Sequence, residues 1–412
     1  MQISGLYFQI ADREKTWLPG MKKILIFQLK KVCYDSYTYF SSQIGSFLEK
    51  NGYDVTYFQL GRDGSLADIE QFAGQSFDAV LEFNSDLPKI RMEDDSYFLS
   101  QIDAPFIDFI LDHPLYHHDS LKQDIGAFYV CCLDANHRDY ILENYPHISD
   151  VFVLPVTGSG TKESIPYDKR EIPLLFSGTY TSPAEVWEAI KNCPGFIGAD
   201  IRRLIEMMLA DSSLTLEHAV HILAKESESL IEANFPLHMQ AYFLADTYLR
   251  ACTREQVIRT LLSHHIPLTI YGSEWEKLTS SLSASEAAAL TLHPGVPFTD
   301  SFTVMAHAKI TLNVMPLFKA GAHDRVFSAQ LNHSVCLTDP STYLLDCYTD
   351  HKDIVFYDLM QPDSLVSAID FLFHNETAAT QIATCGYQNA HANHSWENYG
   401  QQLLRFLTSI TG

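Results

Sequence analysis

Short apolar runs and helical-period segments alternate through the first part of the chain. Residues 23–29, 54–60 and 77–83 read as strands, and residues 105–111 and 127–133 are further apolar runs bounded by polar positions. Between them, residues 37–51, 67–73 and 136–145 place apolar side chains at helical spacing, and residues 150–155 add one more strand. Nearly continuous apolar strands that alternate with helices predict a parallel sheet covered on both faces.

A polar stretch, residues 157–171, rich in Gly, Ser, Thr and Lys, reads as an inter-domain linker. A strand at 173–176 and a turn, Ser177-Gly178-Thr179, restart the alternation. Ser182-Pro183-Ala184-Glu185 is a capping box with Pro at the first helical position, so a helix is predicted to begin there. Residues 184–265 are almost wholly helical in pattern, with a second capping box at Thr253-Arg254-Glu255-Gln256. Strands return at 267–271, 309–314, 334–338 and 353–357, followed by helices at 362–374, 376–392 and 396–410. With 412 residues the chain exceeds one ordinary core. The expected organisation is an extension (1–20), a first Rossmann-like domain (21–165), a second (166–392) with a helical insertion (184–265), and a final helical segment (393–412). Two doubly wound halves face a cleft, and ligands of such sheets bind beyond the carboxyl ends of the strands.

Composition narrows the class. Hydrophobic residues make up 46% and charged residues 19%, as in a soluble globular protein. The net charge is -23, which repels phosphate backbones and argues against a nucleic-acid partner. The 8 Cys include no Cys-x-x-Cys and sit mostly in apolar runs, as free thiols in a reducing, cytoplasmic setting do. No stretch is apolar enough for a transmembrane span, and residues 1–20 lack a signal-peptide core. Met21-Lys22-Lys23 before ILIF looks like a natural start, which is why the first twenty residues read as an extension.

The richest segment for chemistry is 309–340, KITLNVMPLFKAGAHDRVFSAQLNHSVCLTDP. A strand, a loop containing Ala320-Gly321-Ala322, and a helix start at His323-Asp324-Arg325 leave free backbone N–H groups at the positive end of the helix dipole. Arg325 can add charge-assisted hydrogen bonds to a diphosphate, or form a structural ion pair. His323 can donate to the same phosphate, or cap the helix; Asp324 favours the dipole. Gly272 and Gly178 follow strands and allow a ligand to approach closely, as turn glycines also do, and Thr179 lies beside Gly178. Asn313 ends a strand and can bond a base or ribose, or satisfy backbone. In the first half, Asp112-His113-Pro114 follows the apolar run FIDFIL. Asp112 or His113 can take a proton from an acceptor hydroxyl; Asp134 and His137 form a second pair. His113, His117 and His118 do not make a good metal site, because Pro114 interrupts a helix there.

These segments resemble a GT-B glycosyltransferase, in the branch of CgeB-like proteins with a glycosyltransferase group 1-like C-terminal domain. The resembling parts are LTIYGSEW (268–275), KITLNVMP (309–316), HDRVF (323–327), CLTDPSTYLLDCYTD (336–350), DIVFYD (353–358) and the tail IATCGYQNAHANHSWENY; FIDFILDHPLYH and YVCCLDANHRDYI resemble the N-terminal domain. The resemblance implies a second domain that holds a nucleoside-diphosphate sugar as co-substrate, a first domain that receives the acceptor, and a last helix crossing back to the first domain. It implies donor-binding roles for Gly178, Thr179, Gly272, Asn313, Gly321, His323 and Arg325, and transfer with no metal and no other cofactor; the chain has no Asp-x-Asp. The broader retaining pattern carries two glutamates where this chain has Ala320 and Ser328, and His333 stands where Gly is common. It also carries an Arg and a Lys after the first C-domain strand that have no counterpart near Gly178. The expected activity is sugar transfer to a hydroxyl on a protein, glycan or lipid-linked precursor. A non-catalytic binding or scaffold protein and a nucleotide-sugar epimerase are the alternatives on the same fold.

Overall fold

The computed structural model describes residues 22–29, 33–163, 165–227 and 232–411. The expected extension at residues 1–20 lies outside them. Six strands form the first sheet: β1 (Lys23–Gln28), β2 (Asp54–Gln59), β3 (Ala79–Phe83), β4 (Phe106–Phe109), β5 (Phe128–Cys132) and β6 (Asp150–Val153). Six more form the second: β7 (Ile172–Ser177), β8 (Leu268–Tyr271), β9 (Leu290–His293), β10 (Ala308–Leu312), β11 (Val335–Thr338) and β12 (Val355–Phe356). The orders are β2-β1-β3-β4-β5-β6 and β12-β11-β10-β7-β8-β9, and every strand pairing is parallel.

Period-two alternation divides each apolar strand between two covers. In the first sheet Leu25, Phe27, Val80, Phe106 and Val130 share a core with the helices between Pro183 and Ser263, through Ile190, Leu204, Met239 and Leu249. Ile24, Ile26, Leu81, Ile107 and Cys131 face the other way, onto the helices Ser36–Lys50 and Trp396–Thr411. The helical block thus lies between β7 and β8 in sequence while its apolar side completes the first sheet's core. Each fully buried Leu, Ile or Phe in these layers contributes about 1.5–3 kcal/mol relative to exposure.

Three local features differ from the sequence reading. Residues 66–72 form a 3-10 helix, Leu66–Phe72, not an α-helix. The box at Thr253 starts no helix: Phe243–Ser263 runs straight through it, held on one side of the box by Ala245 and Leu249 in the first sheet's core and on the other by Val257, Ile258, Leu261 and Leu262 in the second's. Packing here overrides a local capping signal. The edge strand β9 carries only partly buried and exposed side chains, too few apolar positions to stand out as a run. The box at Ser182 does cap its helix, with the Ser182 side chain accepting from the Glu185 N–H.

The helix Trp396–Thr411 lies on Ser36–Lys50 at Gly400, where a Cβ would sit 2.3 Å from a Phe47 ring carbon. Phe406 of the same helix stacks on Phe152 with ring centroids 5.0 Å apart. Gly400→Val is expected to cost about 1–3 kcal/mol by overpacking this contact. Thermal unfolding followed by circular dichroism checks it; an unchanged midpoint would contradict the tight contact.

Candidate active site

In each sheet the strand order reverses once, between β1 and β3 and between β7 and β10. Such switch points splay the following loops and open a crevice at the carboxyl ends of the strands. A cleft of about 420 Å³ lies there between the two sheets. The first sheet contributes Leu111 and Asp112 after β4 and Leu133 after β5; the second contributes Ser177, Gly178 and Thr179 at the end of β7 and Tyr271 at the end of β8.

Three arginines line this cleft: Arg250, Arg254 and Arg325. Arg254 and Arg325 lie 5.8 and 5.6 Å from the centroid of the same ring, Phe176 in β7. Arg254 donates to the Thr179 carbonyl at 2.9 Å, and Arg325 donates to Asn313 Oδ1 at 2.9 Å. Neither forms a salt bridge among the described residues. Burial, with Arg325 and Arg250 close by, lowers the Arg254 pKa to about 10. Burial also lowers Arg325, against the pull of Asp324. Arg250 differs. It pairs with Asp246 at 2.7 Å and donates to Tyr116 Oη at 2.9 Å. Burial alone would lower its pKa, but Asp246, Tyr116 and Asp112 outweigh that and raise it.

Among the described residues, four buried side-chain atoms on the cleft lining have no hydrogen-bond partner: Ser177 Oγ, Ser328 Oγ, Arg250 Nε and Arg254 Nε. Buried polar atoms are nearly always satisfied, so four orphans on one wall call for a reason. All four can donate. The wall therefore suits a ligand rich in acceptor oxygens and carrying negative charge.

The expected site residues fall into two groups. Asp112, Gly178, Thr179, His323 and Arg325 line the cleft together. His323 also caps the helix Asp324–Leu331, its Nδ1 accepting from the Arg325 N–H at 3.3 Å. Burial would raise the Asp324 carboxyl, but His323 at 2.9 Å and Arg325 hold it below the usual range. Asn313, Gly272 and Gly321 stand behind the lining. Asn313 is fully buried, donating to Thr338 Oγ1 at 3.0 Å and holding Arg325 with its carbonyl. A Cβ on Gly272 would fall 2.0 Å from the Gly178 carbonyl oxygen, so Gly272 lets the loops after β7 and β8 touch. A Cβ on Gly321 would fall 2.2 Å from the Leu133 carbonyl oxygen, at a contact between the two domains.

Asp112 and His113 part company. Burial raises the Asp112 pKa, with Arg250 opposing. His113 turns away from the cleft. Its Nδ1 accepts from the Leu115 N–H at 3.0 Å and its Nε2 meets Glu217 Oε1 at 2.7 Å, so both ring nitrogens are engaged. Asp134 caps the helix Ala135–Asn144 and accepts from the Ala320 N–H at 2.8 Å, tying the domains together. His137 packs edge-on against His113. Among the described residues no group of three side chains that could hold a metal converges.

Arg250 and Arg254 were not among the expected site residues, because their segment reads as a plain helical block. One signal was present. Two arginines at i and i+4 repel each other on a helix face, and among the described residues only Arg250 has a local ion-pair partner, Asp246. Tyr34 is a second addition: its hydroxyl crosses the cleft to Thr179 Oγ1 at 2.9 Å and Ser273 Oγ at 3.2 Å.

Residues 250–405 match the family model described as glycosyl transferase-like. No curated protein matches the chain by sequence. Among solved structures, a glycosyltransferase from Rickettsia africae ESF-5 is similar at TM-score 0.55 and 10% identity, over 95% of this chain and 99% of that one. Alr3699/HepE of Anabaena, solved with UDP and glucose, matches at TM-score 0.53 and 10% identity, over 94% and 100%. An α-glucosyltransferase solved with UDP-glucose and abasic DNA matches at TM-score 0.56 and 11% identity, over 94% and 100%. The two facing parallel sheets are the GT-B fold of glycosyltransferases.

The His113–Glu217 pair joins the first domain to the helix Leu216–Ser227 and gives a pH signature. Burial would raise Glu217, but His113 brings it down to about 2; burial would lower His113, but Glu217 raises it. Glu217's contribution is present above its unfolded value of about 4.5 and is lost as pH falls towards 2. That of His113 is present below about 6.5 and is lost as pH rises through its raised folded value. Glu217→Gln is expected to cost about 3 kcal/mol near pH 5.5, with a smaller deficit at pH 9. Denaturant unfolding at the two pH values checks this; a deficit independent of pH would contradict the ion pair.

Proposed function

We propose that this protein is a glycosyltransferase that moves a sugar from a nucleoside-diphosphate sugar to a hydroxyl acceptor, without a metal. The observation that carries the reading is the pair of guanidiniums, Arg254 and Arg325, held at one ring with no carboxylate partner among the described residues. A nucleoside diphosphate brings the anionic oxygens that these groups and the orphaned Ser177 and Ser328 hydroxyls lack. Alr3699/HepE and the α-glucosyltransferase, whose structures contain UDP and UDP-glucose, share the fold and support this class of donor. Within the fold, the segments quoted above support the CgeB-like branch, and the unpaired thiols support a cytoplasmic setting.

In the reaction the bond between the anomeric carbon and the diphosphate breaks, and its electron pair leaves with the nucleoside diphosphate. Arg254 and Arg325 stabilise the charge that develops there. The acceptor oxygen forms the new bond to the anomeric carbon as its proton passes to Asp112. A carboxylate whose pKa burial has raised is a better base for this step than an exposed one. Asn313 and His323 position the Arg325 helix start, and Gly272 lets the two donor loops close on each other.

Arg254→Ala is expected to weaken nucleoside-diphosphate binding about 10- to 100-fold, the worth of a charge-assisted hydrogen bond. Calorimetric titration checks it, and unchanged affinity would remove Arg254 from the site. Asp112→Asn is expected to lower turnover with donor affinity retained, read as nucleoside-diphosphate release with a donor panel. Turnover should persist in chelator. Sugar-nucleotide interconversion without transfer would overturn the reading.

A further inference from the structure

The cleft is electrically lopsided. Its arginines, Arg250, Arg254 and Arg325, all come from the helical block or the second domain. Among the described residues, the first domain's side contributes no Lys or Arg to the lining, and its one charged residue there is Asp112. Around Asp112 that side presents Tyr34, Tyr37, Phe40 and Leu111, with the Ser36 hydroxyl. Phe298 extends the aromatic surface from across the cleft, with its ring 5.1 Å from that of Phe40. The rings have fixed places: Tyr37 lies parallel to Phe83, and the Tyr34 hydroxyl bonds to Thr179 and Ser273. The backbone of Tyr34 is left-handed, at φ 60°, and Gly295 makes room for its ring, since a Cβ there would lie 2.4 Å from a ring carbon.

Resting on the glycosyltransferase reading, we propose that the acceptor is an uncharged sugar ring, seated on this aromatic wall with a hydroxyl at Asp112. Three features select that chemistry. Aromatic side chains offer flat apolar surface to the C–H face of a pyranose, as pockets for orientable ligands commonly do. Asp112 and Ser36 supply polar groups for ring hydroxyls. An acceptor bearing phosphate or carboxylate would meet no cation among the described residues on this side and would face Asp112, a like-charge contact. Arg250, whose charge already acts on Asp246 at 2.7 Å and on Asp112, keeps only its Nε for a ligand oxygen.

The test uses the full chain with saturating nucleoside diphosphate. Methyl glycosides of neutral hexoses, the matching hexose 6-phosphates and 4-nitrophenol are compared by saturation-transfer NMR, with affinities from titration. The neutral glycosides are expected to bind, and the phosphates at least about tenfold more weakly. Phe298→Ala and Tyr34→Ala are each expected to weaken glycoside binding about fivefold or more; nucleoside-diphosphate affinity holds in Phe298→Ala, whereas Tyr34→Ala also loses the hydroxyl bond to Thr179. Two aromatic variants on separate segments guard against a loss of folding in either, read from circular dichroism in both and from retained diphosphate affinity in Phe298→Ala. Hexose phosphates or the phenol binding as tightly as the glycosides would overturn the proposal, as would glycoside binding indifferent to both variants. Absence of diphosphate binding in the unaltered protein would instead bring down the glycosyltransferase reading itself.

Discussion

The site depends on positive charge that no salt bridge among the described residues pairs. Arg254 and Arg325 are brought to one ring, Phe176, at the carboxyl end of β7, and neither meets a carboxylate among the described residues. Burying like charges together is unfavourable, and the lowered pKa of Arg254 records that cost. A fold that maintains such an arrangement has built in a preference for an anion. The remaining features follow from it: Asn313 steers Arg325, the Thr179 carbonyl steers Arg254, and Gly272 lets the loop after β8 touch the loop after β7 that carries Thr179.

The cleft is held by contacts that join distant parts of the chain. Residues of the linker and the start of the last helix meet at Ser159, whose hydroxyl accepts from Tyr39 at 2.5 Å and from Trp396 Nε1 at 2.8 Å. The Ser159 carbonyl accepts from Asn332 at 2.9 Å, directly after the Arg325 helix. Asp134 adds a second tie through the Ala320 N–H. The two sheets are thus registered against each other on both sides of the helix that bears Arg325, and the opposing walls of the cleft keep fixed chemical identities.

Much of the fold was legible because period and length agreed. The apolar runs at 23–29, 127–133 and 309–314 are too short for buried helices and too continuous for exposed strands, and each is a central strand. Where burial is slight the signal fades: β9 sits at a sheet edge with half-exposed side chains and does not stand out from the sequence. The Thr253 box shows the opposite failure, a strong local motif overruled by buried positions in two cores on either side of it. In the site, Arg325 and Asp112 were legible because both follow strands. Arg250 and Arg254 were not. They reach the cleft only through the tertiary placement of a helix inserted between β7 and β8, and no spacing within that helix says where its face will point. His113, adjacent to Asp112, turns to Glu217 on a distant helix, a partner that sequence proximity does not reveal.

The central claim is that the unpaired arginines of the β7 end grip a diphosphate. Its most direct test is a crystal structure of the protein grown with a nucleoside-diphosphate sugar. The account predicts diphosphate oxygens within hydrogen-bonding distance of both Arg254 and Arg325, and of the Ser177 or Ser328 hydroxyl. A ligand seated elsewhere, or the two guanidiniums turned onto carboxylates of the chain itself, would contradict it.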